Sequence, residues 1–136
     1  HLLLGVDIVK DPRVIEAAYN DAEGVTAEFN RNVLRVINRE LDANFDVDEF
    51  EHVAFFDTEH EWIELRLRAR SAQDIDIKGV DLGVHFTARE EMRTEISAKF
   101  PHARLSRDLR AAGLELAAWL PDPDDHFAVA LAKIAR

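Results

Sequence analysis

Leu2-Leu3-Leu4-Gly5-Val6-Asp7-Ile8-Val9 is a short, nearly continuous apolar run, the pattern of a strand buried on both faces between parallel neighbours. Val14, Ile15 and Ala18 then fall at helical spacing, and Val25, Phe29, Val33 and Ile37 form an i, i+4 ladder. The pattern predicts two amphipathic helices that meet at Gly24. Asp11 is the expected N-cap of the first, with Pro12 at its first position, where a missing N–H does no harm. That helix is expected to end near Asn20, and the second near Asp42, with Arg35, Arg39 and Glu40 on its outer face. From His52 the period changes to two. Val53 to Asp57, Ile63 to Ala69, Ile75 with Ile77, and Leu82 to Phe86 read as strands, with a turn at Lys78-Gly79, in an antiparallel meander with one wet face. Glu90 to Phe100 leads out of it. Pro101 opens a third helix with Leu105, Leu109 and Ala112 as its apolar stripe and Gly113 as its stop. Leu114, Leu116, Ala118 and Leu120 alternate as a strand, Pro121 to Asp125 turns, and Phe127, Val129 and Leu131 return.

The chain has 136 residues, 47% of them hydrophobic, enough for one core and too few for two ordinary domains. The change of period near His52 and the return to helix near Pro101 mark an insertion within one domain, dividing the chain into residues 1–46, 47–100 and 101–136. Lys and Arg number 17 against 27 Asp and Glu, a formal charge of −10, which argues against duplex nucleic acid or an anionic membrane as partner and suits a small or neutral ligand. With no cysteine, disulfides and thiolate metal sites are excluded, and the composition is compatible with the cytoplasm. No apolar run approaches the roughly 20 residues needed to span a bilayer, and no signal peptide is visible. Because the chain opens on His1 and passes straight into a strand that calls for parallel neighbours, residue 1 is expected to be a cut point inside a larger α/β domain. A sheet edge exposed by such a cut is expected to promote self-association.

Polar groups concentrate where the two helices meet. Tyr19, Asn20, Thr26, Asn30 and Asn32 lie close to Gly24, and Asn and Thr are indifferent helix formers, so hydrogen bonding to something held at the joint is one reason for them. Capping or turn formation by Asn20 and Asp21 is the other. Asp42, Asn44, Asp46 and Asp48 take the spacing of a calcium loop, but Val47 replaces its turn glycine and Val53 its bidentate Glu, leaving a solvated acidic loop. His1, His52, His60, His85, His102 and His126 show no metal-ligand spacing, so no metal is expected, and the Asp122 to Asp125 cluster reads as a Pro-Asp turn. No nucleophile elbow and no Gly-rich phosphate loop is present. Glu95 and Ser97 are the sharper pair. In an extended segment residues i and i+2 point to one side, so this carboxylate and hydroxyl together suit a ligand group with two N–H donors, such as an imidazolium. A surface Glu and Ser in a connecting loop is the alternative, as a half-buried core tyrosine is for Tyr19.

Val9-Lys10-Asp11, Ala18 to Ala22, Gly24 to Asn32 and Met92-Arg93-Thr94-Glu95-Ile96-Ser97-Ala98-Lys99-Phe100 closely resemble the S-adenosylmethionine-dependent histidine Nα-methyltransferases of ergothioneine biosynthesis. The likeness extends over nearly the whole chain and covers only the C-terminal part of such an enzyme. It implies an α/β fold: the C-terminal part of a Rossmann-like methyltransferase domain (residues 1–46 and 101–136) carrying an inserted antiparallel α+β substrate-binding lobe (residues 47–100). It implies L-histidine as substrate and S-adenosylmethionine as methyl donor, the donor site lying mostly in an N-terminal half that this chain lacks and would need as partner. Catalysis by this chain alone is not expected. The substrate-binding set implied is Tyr19, Thr26, Leu65, Glu95, Ile96 and Ser97, with Tyr19 as catalytic candidate orienting the α-amino-acid end and Glu95 and Ser97 holding the imidazole. Leu65 stands where members of that family tend to carry Met, a swap that preserves volume and bears on fine substrate preference. A methyltransferase for another aromatic amino acid, and a non-catalytic binding or assembly module derived from this lobe, are the alternatives.

Overall fold

The computed structural model describes residues 1–135. Its first strand, β1 (Leu2–Asp7), leads into α1 (Pro12–Tyr19), whose start is closed by the Asp11 carboxylate accepting from Arg13 N at 2.9 Å. Gly24, at φ 72°, supplies the left-handed turn into α2 (Val25–Leu41). Next come β2 (Phe50–Asp57), β3 (Trp62–Ala69), β4 (Gln73–Ile77), β5 (Leu82–Phe86) and β6 (Glu91–Ala98). α3 (His102–Ala111) ends at Gly113, φ 75°, and an antiparallel pair, β7 (Leu114–Pro121) and β8 (Phe127–Ile134), closes the chain.

The strands form two three-stranded antiparallel sheets, ordered β1-β8-β7 and β2-β3-β6, and a separate β4-β5 hairpin. The expected single meander is thus split: the Glu90 to Phe100 segment is itself a strand and takes the place beside β3 that β4 would have held. β1 also departs from expectation. It pairs antiparallel with β8 rather than lying between parallel neighbours, and Leu2 and Leu3 are exposed.

Three apolar clusters hold these layers. α2 packs Leu34 on Phe45, Phe50, Leu67, Ile75, Ile77 and Phe86, with the three Phe rings edge to face at 5.4 to 6.4 Å. α3 sets Leu105 and Leu109 on the β1-β8-β7 sheet. α1 sets Ile15 on Phe56, Ile63 and Leu65. Both α1 and α2 therefore cover the β2–β6 segment, whereas β1 joins the sheet built by residues after 101.

The buried faces are not those the apolar ladders predict. On α2 the buried stripe runs through Asn30 and Leu34, backed by Ile37 and Leu41, while Val25, Phe29 and Val33 are exposed, Phe29 at 65%. On β8 the face against α3 is Ala128, Ala130 and Ala132, because a helix lying close on a sheet selects small side chains, and Phe127 is turned outward. A bulge between Leu116 and Ala118 shifts the alternation of β7, so Trp119 joins the core and Leu120 is exposed. Near the Lys78-Gly79 turn, a Cβ on Gly79 would stand 2.8 Å from Leu41 O, so only glycine allows the α2 C-terminus to approach.

Candidate functional site

α1 delivers Tyr19 at its last turn, and β6 delivers Ser97 near its end. The two side chains meet: Tyr19 Oη donates to Ser97 Oγ at 2.9 Å. Between them sits Lys99, which is only 1% exposed. Its ammonium donates to Tyr19 Oη at 2.9 Å and Ser97 Oγ at 3.0 Å, and pairs with Asp7 Oδ2 at 2.9 Å. A buried ammonium is tolerated because all three of its protons find oxygen partners. Asp7, at the end of β1, also takes Lys10 Nζ at 2.7 Å. Burial opposes ionisation of the Asp7 carboxyl, but hydrogen bonds and charge from Lys10 and Lys99 outweigh it and hold the group below the usual carboxylate range. Backbone bonds brace the corner, Phe100 N to Asp7 O and Lys99 N to Glu61 O, both at 2.8 Å.

The register of β3 against β6 decides what faces this cluster. Ser97 lies opposite Ile63 and Glu95 opposite Leu65. Ile63 and Leu65 belong to the apolar cluster that also holds Ile15, Phe56 and the ring of Tyr19, so Leu65, 2% exposed, forms floor beneath the pair. Glu95 is exposed, and among the described residues its carboxylate has no hydrogen-bond or ion-pair partner. Ile96 lies opposite Glu64, on the other face of the sheet, at 44% exposure. That face carries an ion-pair ladder of Glu64, Arg66, Glu91 and Arg68, in which the two guanidinium groups keep Glu91 below its ordinary value. Ile96 is thus separated from Glu95 and Ser97 by the sheet itself.

A bulge at Thr94, between the Leu65 and Arg66 registers, gives β6 one extra residue just before Glu95. Thr94 Oγ1 donates to Asn30 Oδ1 at 2.6 Å, with Leu65 O at 3.0 Å as its alternative acceptor. Asn30 Nδ2 donates to Arg66 O at 3.0 Å and to His52 Nδ1 at 2.9 Å. His52 Nδ1 is therefore an acceptor, and its Nε2–H is left to donate to Tyr19 O at 2.9 Å. One buried polar chain thus runs from the end of α1 through β2 and α2 to the bulge of β6.

The remaining polar residues at the helix joint serve the backbone. Asn20 is the C-cap of α1, donating to Glu16 O and Ala54 O at 3.0 Å each. Asp21 accepts from Val25 N at 2.7 Å and Thr26 N at 2.9 Å, and bonds from the Thr26 side chain, Thr26 N and Val25 N lower its pKa to about 2. Thr26 is drawn into this cap, and among the described residues no hydrogen bond joins it to Tyr19 or Ser97. Sequence reasoning passed over Lys99 and Asp7. Glu95, Ser97 and Lys99 continue one alternation by a further step, so the argument that paired the first two reaches the third.

Over residues 1–134 the chain matches the family described as histidine-specific methyltransferases, SAM-dependent. It is 52% identical over 131 residues to a histidine N-alpha-methyltransferase of Mycolicibacterium smegmatis and 50% identical over 131 residues to one of Mycobacterium tuberculosis. Each alignment takes in 96% of this chain and 41% of the relative, so the chain spans less than half the length of these relatives.

Proposed function

Because the chain belongs to the SAM-dependent, histidine-specific methyltransferase family, we propose that it forms the amino-acid-binding part of an enzyme that methylates the α-amino group of L-histidine. The observation that carries the reading is the meeting of Tyr19 with Ser97 over the Ile63–Leu65 floor, on the face that Glu95 shares. Glu95 accepts a ring N–H, Ser97 engages the other ring nitrogen, and Tyr19 orients the α-amino-acid end. Methyl transfer needs an unprotonated amine held in line with an electrophilic carbon, so most of what these residues contribute is positioning. The likeness to ergothioneine enzymes extends the proposal to hercynine as product.

S-adenosylmethionine supplies that methyl group in this family. The described residues do not fit it. After β1 comes Val9-Lys10-Asp11-Pro12 in place of a glycine-rich turn, and the polar groups there are spent on one another, Lys10 and Lys99 on Asp7 and Arg13 on Asp11. The donor is accordingly assigned to the part of the relatives that this chain does not match. In keeping with this, we read residues 1–46 and 101–136 as parts of a Rossmann-like methyltransferase fold and residues 47–100 as its substrate-binding lobe. The β1-β8-β7 sheet, built from the first and last of these segments, supports the division, while α1 and α2 cover the lobe. No helix among the described residues is long and apolar enough to cross a membrane. Among the described residues β1 is an outer strand of its sheet, which supports self-association, and sedimentation showing a stable monomer at high concentration would overturn that part.

The test is calorimetric titration of the enzyme containing this chain with L-histidine, with and without S-adenosylmethionine, and of its Glu95→Ala variant. Histidine binding that tightens with donor is expected, as is a variant that loses histidine affinity and admits other aromatic amino acids, because the partner that discriminates is gone. Unchanged histidine preference in the variant sinks the assignment. Leu65 favours a second reading, a methyltransferase for another aromatic amino acid, which tighter binding of that amino acid than of histidine would establish.

A further inference from the structure

We propose that Lys99 is a positioning residue that makes Ser97 an obligate hydrogen-bond donor, so that the site accepts the neutral imidazole of its substrate and refuses the imidazolium. The inference rests on the histidine-methyltransferase reading above. An ammonium has three protons and no lone pair, and a hydroxyl has one proton and two lone pairs. Lys99 gives one proton each to Tyr19 Oη and Ser97 Oγ and directs the third side of its ammonium at Asp7. Tyr19 in turn donates to Ser97. Ser97 Oγ therefore accepts twice and has no lone pair left. What it has left is its own proton.

Glu95, two residues earlier on the same face, offers only acceptors. The pair thus presents one acceptor and one donor, the complement of a ring with one N–H and one bare nitrogen. That reverses the sequence-based expectation of a ligand with two N–H donors. An imidazolium would bring its second N–H against the Ser97 proton. It would also stand beside a cluster in which two cations, Lys10 and Lys99, share the single carboxylate of Asp7. The other charged or titratable groups around this corner are committed elsewhere or lie on the ligand side. Glu16 of α1 accepts from Phe56 N, His52 of β2 donates to Tyr19 O, Arg104 of α3 is spent on His60 O, Lys99 O and the Glu61 carboxylate, and Glu95 of β6 is the ligand acceptor already named.

The experiment titrates the enzyme containing this chain with L-histidine and with β-(pyrrol-3-yl)alanine, which keeps a ring N–H but has C–H in place of the acceptor nitrogen, between pH 5 and 8. Histidine affinity is expected to fall about tenfold per pH unit below the ligand ring's own pKa of about 6.5. The pyrrole should bind at least about tenfold more weakly than histidine, since it leaves the Ser97 proton unmet. Lys99→Met returns a lone pair to Ser97 and so admits the imidazolium, which means that the acid fall should flatten to a plateau and the discrimination should shrink. Asp7→Asn/Lys99→Met removes the stranded carboxylate and covers the case in which the single variant does not fold. If the wild-type enzyme binds no histidine, the functional reading itself falls, and this inference with it. If it binds histidine equally across the pH range, or the Lys99 variants keep both the acid profile and the discrimination, the role of Lys99 is overturned and the functional reading stands.

Discussion

Asn30→Ala removes a side chain that is 4% exposed and ties α2 to β2, β3 and β6 at once. Three hydrogen bonds go with it. Thr94 still has Leu65 O at 3.0 Å, so its hydroxyl is rescued. Arg66 O and His52 Nδ1 both lose that donor, and no other side chain among the described residues replaces it. An orphaned buried group costs about 1–3 kcal/mol. The orphaned His52 Nδ1 and the weakened Arg66 O, partly relieved by water reaching this half-buried corner, give about 3 kcal/mol. With a urea slope of about 1.5 kcal/mol/M, the unfolding midpoint should drop by about 2 M at unchanged slope. The bulge that carries Glu95 loses its anchor to α2 in the same step, so histidine affinity of the enzyme should fall together with stability. A midpoint shift below about 0.5 M would refute the reasoning, since it would mean that the polar chain is solvated and supports nothing.

On α2 the structure predicts opposite results from two apolar truncations. Leu34→Ala should cost about 2–5 kcal/mol in urea unfolding, whereas Phe29→Ala should stay within about 0.5 kcal/mol; equal losses would restore the ladder of Val25, Phe29, Val33 and Ile37 as the buried face. Acid stability follows from Asp7, Asp11 and Asp21, whose pKa values are lowered from 3.8, the last two to about 2. A carboxylate more acidic in the folded than in the unfolded state stabilises the fold above its unfolded pKa, so thermal stability should be level above pH 4 and fall between about pH 4 and 2. Asp21→Ala should flatten part of that fall; an unchanged slope would remove Asp21 from the account.

Local features were legible because neighbours within a turn decide them. Asp11 and Pro12 start α1, Gly24 and Gly113 supply left-handed turns, and the two-residue period places Glu95 and Ser97 on one side of β6 whatever they face. The same period reaches Lys99, so half of the site could be found from residues 95 to 99. What tertiary structure alone decided is which face of each element meets another. The apolar ladder of α2 is a sound helical pattern, yet the helix turns Asn30 and Leu34 inward because the Phe45–Phe50–Phe86 group and the carbonyl of Arg66 lie there. β8 buries its alanines, because α3 sits close. Tyr19 acquires its ammonium partner, and Asp7 its second cation, only when β1, α1 and the end of β6 converge. Periodicity follows from backbone geometry, which every residue carries with it. Burial and pairing follow from contacts between distant segments, and those exist only once the chain has folded.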